Sequence, residues 1–112
     1  MEISSHAADG AIVVQVNEPR IDAAVAIQFK DRLRALTGAP GQRVILDLSK
    51  VDFVDSSGLG AIVAAMKFLA PERKLELAAL SPNVWKVFRL TRMDSVFPIH
   101  ADVPAAGIRN AL

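Results

Sequence analysis

The chain has 112 residues, 52% of them hydrophobic, and its 13 basic and 12 acidic side chains leave a formal charge of +1. That is enough apolar material for one domain with a real core, and so even a balance gives no electrostatic reason to expect nucleic acid or an anionic membrane as a partner. The absence of cysteine excludes a disulfide framework, a thiolate metal site and a cysteine nucleophile, and it fits a reducing cytoplasm.

Met1 to Gly10 lacks the basic start and apolar run of a secretory leader. Instead, alternating segments at Met1 to Ala7 and Ala11 to Val16 flank Asp9-Gly10, whose residues tolerate the positive φ of a tight turn, and predict a hairpin. From Asp22 to Leu36, Val25, Ala26, Phe29, Leu33 and Leu36 recur at helical spacing, with Asp22 expected as N-cap and Gly38 as the stop. Val44 to Leu48 is almost continuously apolar, as a strand buried on both faces must be, and Val51 and Phe53 are expected to extend that burial.

Gly58 to Ala70 reads as a helix and Lys74 to Leu80 as the next strand. The apolar stretch from Gly58 to Met66 is about half of what a bilayer requires, so no membrane insertion is expected. Ser81-Pro82 is a strong helix start, serving a helix to about Arg92. Val96 to His100 suits a short edge strand carrying Pro98, before a last helix capped by Asp102. No repeat or linker divides the chain, so one α/β domain over residues 1–112 is expected, with a mixed sheet of four to five strands and about four helices.

The segment Val51-Asp52-Phe53-Val54-Asp55-Ser56-Ser57-Gly58-Leu59-Gly60 joins a buried strand to a helix through polar residues and glycines. Such a junction belongs at the surface, and the first amides of a helix beginning near Ser57 favour an anion there. On that helix Leu59, Ile62, Val63, Met66 and Ala70 form the expected core side, yet Gly60, Ala61, Ala64, Ala65 and Phe68 on the other side carry no charge. Either a neighbouring helix of the same domain covers this second face, or it is a landing surface for another protein.

Val44 to Lys67, with its Asp-Ser-Ser-Gly-Leu-Gly centre, resembles the STAS family of sulphate transporters and anti-sigma-factor antagonists. Ile21-Asp22-Ala23-Ala24 is similar to that family's Leu-Asp element and Ser81-Pro82 through Leu90 to its later helix, so almost the whole chain is covered. Where the family often has glycine before Leu-Asp, this chain has Glu18-Pro19-Arg20, a departure that points to a partner other than the better-known ones.

The resemblance implies the STAS fold and an anti-sigma-factor antagonist that is not an enzyme and needs no cofactor. By position Ser56 becomes the phosphoacceptor. The unphosphorylated form would bind an anti-sigma-factor serine kinase and release the sigma factor, phosphorylation would end the binding, and a PP2C-type phosphatase would reset it. Asp22, Asp55, Ser57, Gly58, Gly60, Ala61, Ala64 and Phe68 are the expected partner contacts. The same resemblance leaves a second reading, an accessory STAS subunit regulating a transporter or lipid-trafficking complex. A phosphoserine adds roughly 1.5 to 2 negative charges. Beside Asp52 and Asp55 it meets repulsion, which the amides around Gly58 and Leu59 are expected to offset in part.

Other motifs are bland. Lys86, Arg89 and Arg92 make the solvated stripe of a helix, beside a partly buried Trp85. His6 and His100 are too few for a metal cluster or a triad, and no metal site is expected. Gly58-Leu59-Gly60 lacks the third glycine and Gly-Lys-Ser of nucleotide loops, and Val54 stands where a hydrolase elbow at Ser56 needs glycine.

Overall fold

A computed structural model describes residues 1–8, 10–38 and 43–103 of the protein. Strands β1 (Ile3–Ala8) and β2 (Ala11–Val16) form the hairpin, with Ala8 opposite Ala11 and Gly10 at φ +73° in the turn. Asp9 lies outside the described residues. The chain continues through β3 (Arg20–Ile21), α1 (Ala26–Leu36), β4 (Arg43–Asp47), β5 (Phe53–Val54), α2 (Ser56–Leu69), β6 (Leu75–Ala78), α3 (Pro82–Leu90), a 3-10 turn (Met93–Ser95) and β7 (Ile99–His100).

The main sheet runs β1-β2-β4-β6-β7, antiparallel between β1 and β2 and parallel elsewhere. Each parallel connection steps to the next neighbour in the same direction, and right-handed crossovers then place all connecting helices on one face. Packing agrees with that rule. Val14, Val44, Leu46, Leu75 and Leu77 share one core with Phe29 and Leu33 of α1, Ile62 and Leu69 of α2, and Val84 and Phe88 of α3. Val13, Ile45 and Ala78, which alternate with them along the strands, form a second apolar cluster on the opposite face.

Several expectations are corrected by this architecture. Asp22 does not cap α1: the helix starts at Ala26 from an N-cap at Val25, and Asp22 opens the preceding turn, its carbonyl accepting from the Val25 amide at 3.1 Å. Phe53 is 40% exposed, because β5 pairs with β3 in a separate two-stranded parallel sheet whose buried residues are Ile21 and Val54. β3 itself was not expected, being only two residues long. The edge strand near Pro98 shortens to Ile99–His100, with the Pro98 carbonyl accepting from the Leu77 amide. The last helix expected after Asp102 falls outside the described residues, of which three α-helices and the 3-10 turn are part.

The sheet face opposite the helices carries a polar ladder among its apolar residues. Arg43 donates to both Glu76 carboxylate oxygens, at 3.0 and 2.7 Å, and His100 Nε2 lies 2.7 Å from Glu76 Oε1. Next to it, Gln15 donates to Asp47 at 3.1 Å. The Arg43 hydrogen bonds hold the Glu76 carboxyl below the usual carboxylate range; burial opposes them, and His100 adds to them. A depressed folded value means that the pair stabilises the protein above the ordinary glutamate range and ceases to do so as pH falls through that depressed value. Because the Arg43 side chain is 52% exposed and solvent screens the pair, Arg43→Met should cost only about 0.5 to 1 kcal/mol at neutral pH. Urea unfolding of both proteins should show that difference shrinking below about pH 4; a difference independent of pH would mean the ion pair contributes nothing.

Candidate functional site

The junction entering α2 is organised by Asp55. Its backbone is extended (φ −92°, ψ −175°), the geometry of an N-cap, and its carboxylate accepts from the Gly58 amide at 2.8 Å. The second carboxylate oxygen accepts from the Ala23 amide at 3.3 Å, across the boundary to the segment before α1. The Asp55 amide donates to the Ile21 carbonyl at 3.3 Å, and its own carbonyl accepts from the Leu59 amide at 2.8 Å. One residue thus ties β3, β5, the turn at 22–25 and the first turn of α2 together.

Because Asp55 fills the cap position, Ser56 is the first residue of the helix, and it is solvent-exposed, as is Ser57. The Gly58 and Leu59 amides are both engaged by Asp55, which corrects the expectation that they face an incoming anion. The amides of Ser56 and Ser57 are the ones that start the helix beyond that pairing.

Gly58 is buried and touches the strand beneath: a Cβ built on it would sit 1.9 Å from the Ile21 carbonyl oxygen. Only hydrogen fits there. Gly60, two residues later and exposed, has nothing within 4 Å of the same hypothetical atom. The two glycines of the motif therefore do different things.

The buried side of α2 consists of Gly58, Ala61, Ile62, Ala65 and Leu69, a stripe rotated from the expected one. Ala61 and Ala65 lie in the core beside α1, so for them the neighbouring-helix reading holds. Phe68 is half-buried under the Arg34 guanidinium of α1, 4.8 Å from its ring centroid. What stays open near Ser56 is Ser57 and Gly60, with Ala64 half-buried below them. Of the sequence-derived contacts, Gly58 and Ala61 offer no surface and Asp55 is engaged within the fold.

On the other flank, Arg20 and Phe53 are register partners on the outer face of the small sheet. The Arg20 guanidinium lies 4.8 Å from the Phe53 ring centroid and its Nε is 3.4 Å from the Asp22 carboxylate. Asp22 also accepts from the Ala24 amide at 3.1 Å, so it structures the turn it opens. This flank was missed in the sequence, although Arg20-Ile21-Asp22 and Phe53-Val54-Asp55 share one pattern of outer residue, buried aliphatic and aspartate, which two short paired strands produce.

A model of the STAS domain matches residues 2–106. A Bordetella bronchiseptica protein provisionally named anti-sigma factor antagonist BtrV is 29% identical over 115 residues, covering 100% of this chain and 98% of its own. The anti-sigma-B factor antagonist of Listeria monocytogenes is 32% identical over 80 residues, 70% of each chain. In fold, the chain is similar to an anti-sigma-factor antagonist (STAS) domain protein from Planctomyces limnophilus, with a TM-score of 0.81 at 24% identity over 90% of this chain and 91% of that one.

The two glycines make a paired prediction. In a helix interior alanine is favoured over glycine by roughly 0.5 to 1 kcal/mol, so Gly60→Ala should raise stability by about that much. Gly58→Ala gains the same propensity but drives its methyl into the Ile21 carbonyl, and should lose about 1 to 3 kcal/mol net. Chemical denaturation of both variants checks this; equal effects at the two positions would refute the contact.

Proposed function

The chain belongs to the STAS family, and on that footing we propose that it is a cytoplasmic anti-sigma-factor antagonist, a binding protein without catalytic activity, switched by phosphorylation of Ser56. The observation that carries the reading is an exposed serine at the first position of α2, free of the capping role that Asp55 has taken. The names of the Bordetella and Listeria relatives support the antagonist role.

In the unmodified state Ser56, Ser57 and Gly60 present a small, uncharged surface on which the backbone of an anti-sigma-factor serine kinase can come close. The kinase moves the terminal phosphoryl group of ATP onto Ser56 Oγ; the hydroxyl proton leaves and ADP departs. The product carries roughly 1.5 to 2 negative charges and three acceptor oxygens where the partner had docked. Asp52 and Asp55 lie close in the chain, so the added charge joins acidic side chains already at this junction. Desolvating it under a partner is costly, and the complex separates. A PP2C-type phosphatase returns the surface to its neutral form.

Phosphorylation acts on binding and not on folding, since Ser56 is exposed and its hydroxyl is not part of the core. Ser56→Ala should remain bound to the cognate anti-sigma-factor kinase in the presence of ATP, and Ser56→Asp should lose at least tenfold in affinity. Both should keep the wild-type circular dichroism spectrum. Ala64→Arg should also weaken the complex, while leaving the fold intact, by filling the open side of α2. Equal binding of the alanine and aspartate proteins, or phosphate found elsewhere after incubation with kinase and ATP, would reject this function.

A further inference from the structure

We propose that Arg20 is the internal counter-ion of phosphorylated Ser56, exchanging its pairing with Asp22 for the phosphate and so passing the modification to the turn before α1; this rests on Ser56 being the acceptor. The starting pair is weak. Arg20 meets Asp22 through Nε at 3.4 Å, and the two side chains are 59% and 26% exposed. An exposed pair of that kind contributes little. A phosphate dianion with three oxygens matches the planar guanidinium fork better than a single carboxylate oxygen does.

Placement favours the exchange. The Asp55 amide is bonded to the Ile21 carbonyl at 3.3 Å. Arg20 and Ser56 each stand one peptide step, about 3.8 Å between Cα atoms, from the residues so joined. Ile21 and Val54 are buried, so Arg20 and its register partner Phe53 occupy the outer face of the small sheet, and Ser56, three residues after Phe53, is exposed as well. The guanidinium rests on the Phe53 ring, 4.8 Å from its centroid, and the exchange asks it to turn from Asp22 toward position 56. The Gly58 and Leu59 amides, the other local source of positive charge, are already satisfied by Asp55.

Once Arg20 moves, Asp22 loses its cation and faces a new dianion. Asp22 also holds the 22–25 turn through the Ala24 and Val25 amides, at 3.1 Å each. The same turn is fastened to the acceptor helix through the Ala23 amide and the Asp55 carboxylate. Phosphorylation therefore alters two neighbouring parts of the surface, the mouth of α2 and the turn leading into α1.

The test uses the full chain with phosphoserine incorporated genetically at position 56, so that no kinase enters it. A phosphorus NMR titration should give a phosphate midpoint about 0.2 to 0.7 pH unit higher in Arg20→Ala than in the protein retaining Arg20, the range an exposed ion pair supports. Arg20→Lys should fall between, and Lys67→Ala, at the far end of α2, should leave the midpoint in place. Arg20→Gln keeps a stem over Phe53 and repeats the measurement should alanine loosen β3. The Ala23 and Ala24 amide resonances should shift on phosphorylation, and that shift should collapse without Arg20. A midpoint indifferent to Arg20→Ala and Arg20→Gln overturns the proposal. Failure to find phosphate on Ser56 in cells overturns the switch itself, a separate result from this one.

Discussion

The end of the molecule where α2 begins depends on the close approach of two backbones. The first turn of α2 lies against the Ile21 carbonyl so tightly that residue 58 can carry no side chain. Asp55 holds that approach from both directions, donating its amide to Ile21 and accepting through its carboxylate from Gly58 and Ala23. Loosening any of these bonds would free the turn before α1 and the start of α2 to move independently. With them made, the position of Ser56 is fixed by the two-stranded β3–β5 sheet rather than by its own side chain. A residue that bears no structural duty can be modified without dismantling the fold.

The same arrangement explains why small residues recur along α2 without all serving one purpose. Gly58, Ala61 and Ala65 are small because something in the same domain lies against them: the strand backbone for the first, the core beside α1 for the others. Gly60 is under no such constraint, with open space around it. Further along, Arg34 of α1 closes over Phe68. On the side of α2 that carries Ser56, Ser57 and Gly60 are consequently the residues that stay exposed in its first two turns.

Much of this was legible in the sequence. The hairpin follows from alternation around Asp9-Gly10, the buried central strand from the run Val44 to Leu48, and α3 from Ser81-Pro82, whose serine does accept from the Val84 amide at 3.4 Å. The misreadings share a cause. Asp22 looked like a helix cap because aspartate before an apolar-periodic run usually is one; here its carboxylate serves a turn three residues upstream of the helix N-cap at Val25. Phe53 looked buried because it follows an apolar strand, but a parallel pairing two residues long reverses which of its neighbours face inward. The periodicity of α2 suggested a core stripe through Leu59, Val63 and Met66. The real stripe is set by α1, whose position relative to α2 no local pattern encodes. Short-range signals placed the elements, and errors arose wherever a second element decided which side of the first was covered.

Topology finally accounts for where Ser56 sits. A sheet whose parallel crossovers all advance in one direction puts its helices on one face and begins each of them at the carboxyl edge of the strands. The segments entering α1, α2 and α3 converge on that edge; Ser81, the cap of α3, also donates its hydroxyl to the Val51 carbonyl at 2.9 Å in the loop before β5. The opposite sheet face, with its Arg43–Glu76–His100 ladder, is turned away from this edge. Ser56 therefore stands where three helix entries and the β3–β5 pair meet, while the ion pair that ties the central strands lies on the far side of the sheet. The proposed acceptor and the Arg43–Glu76 ion pair thus lie on different sides of the sheet, so a charge placed at Ser56 would sit away from that pair.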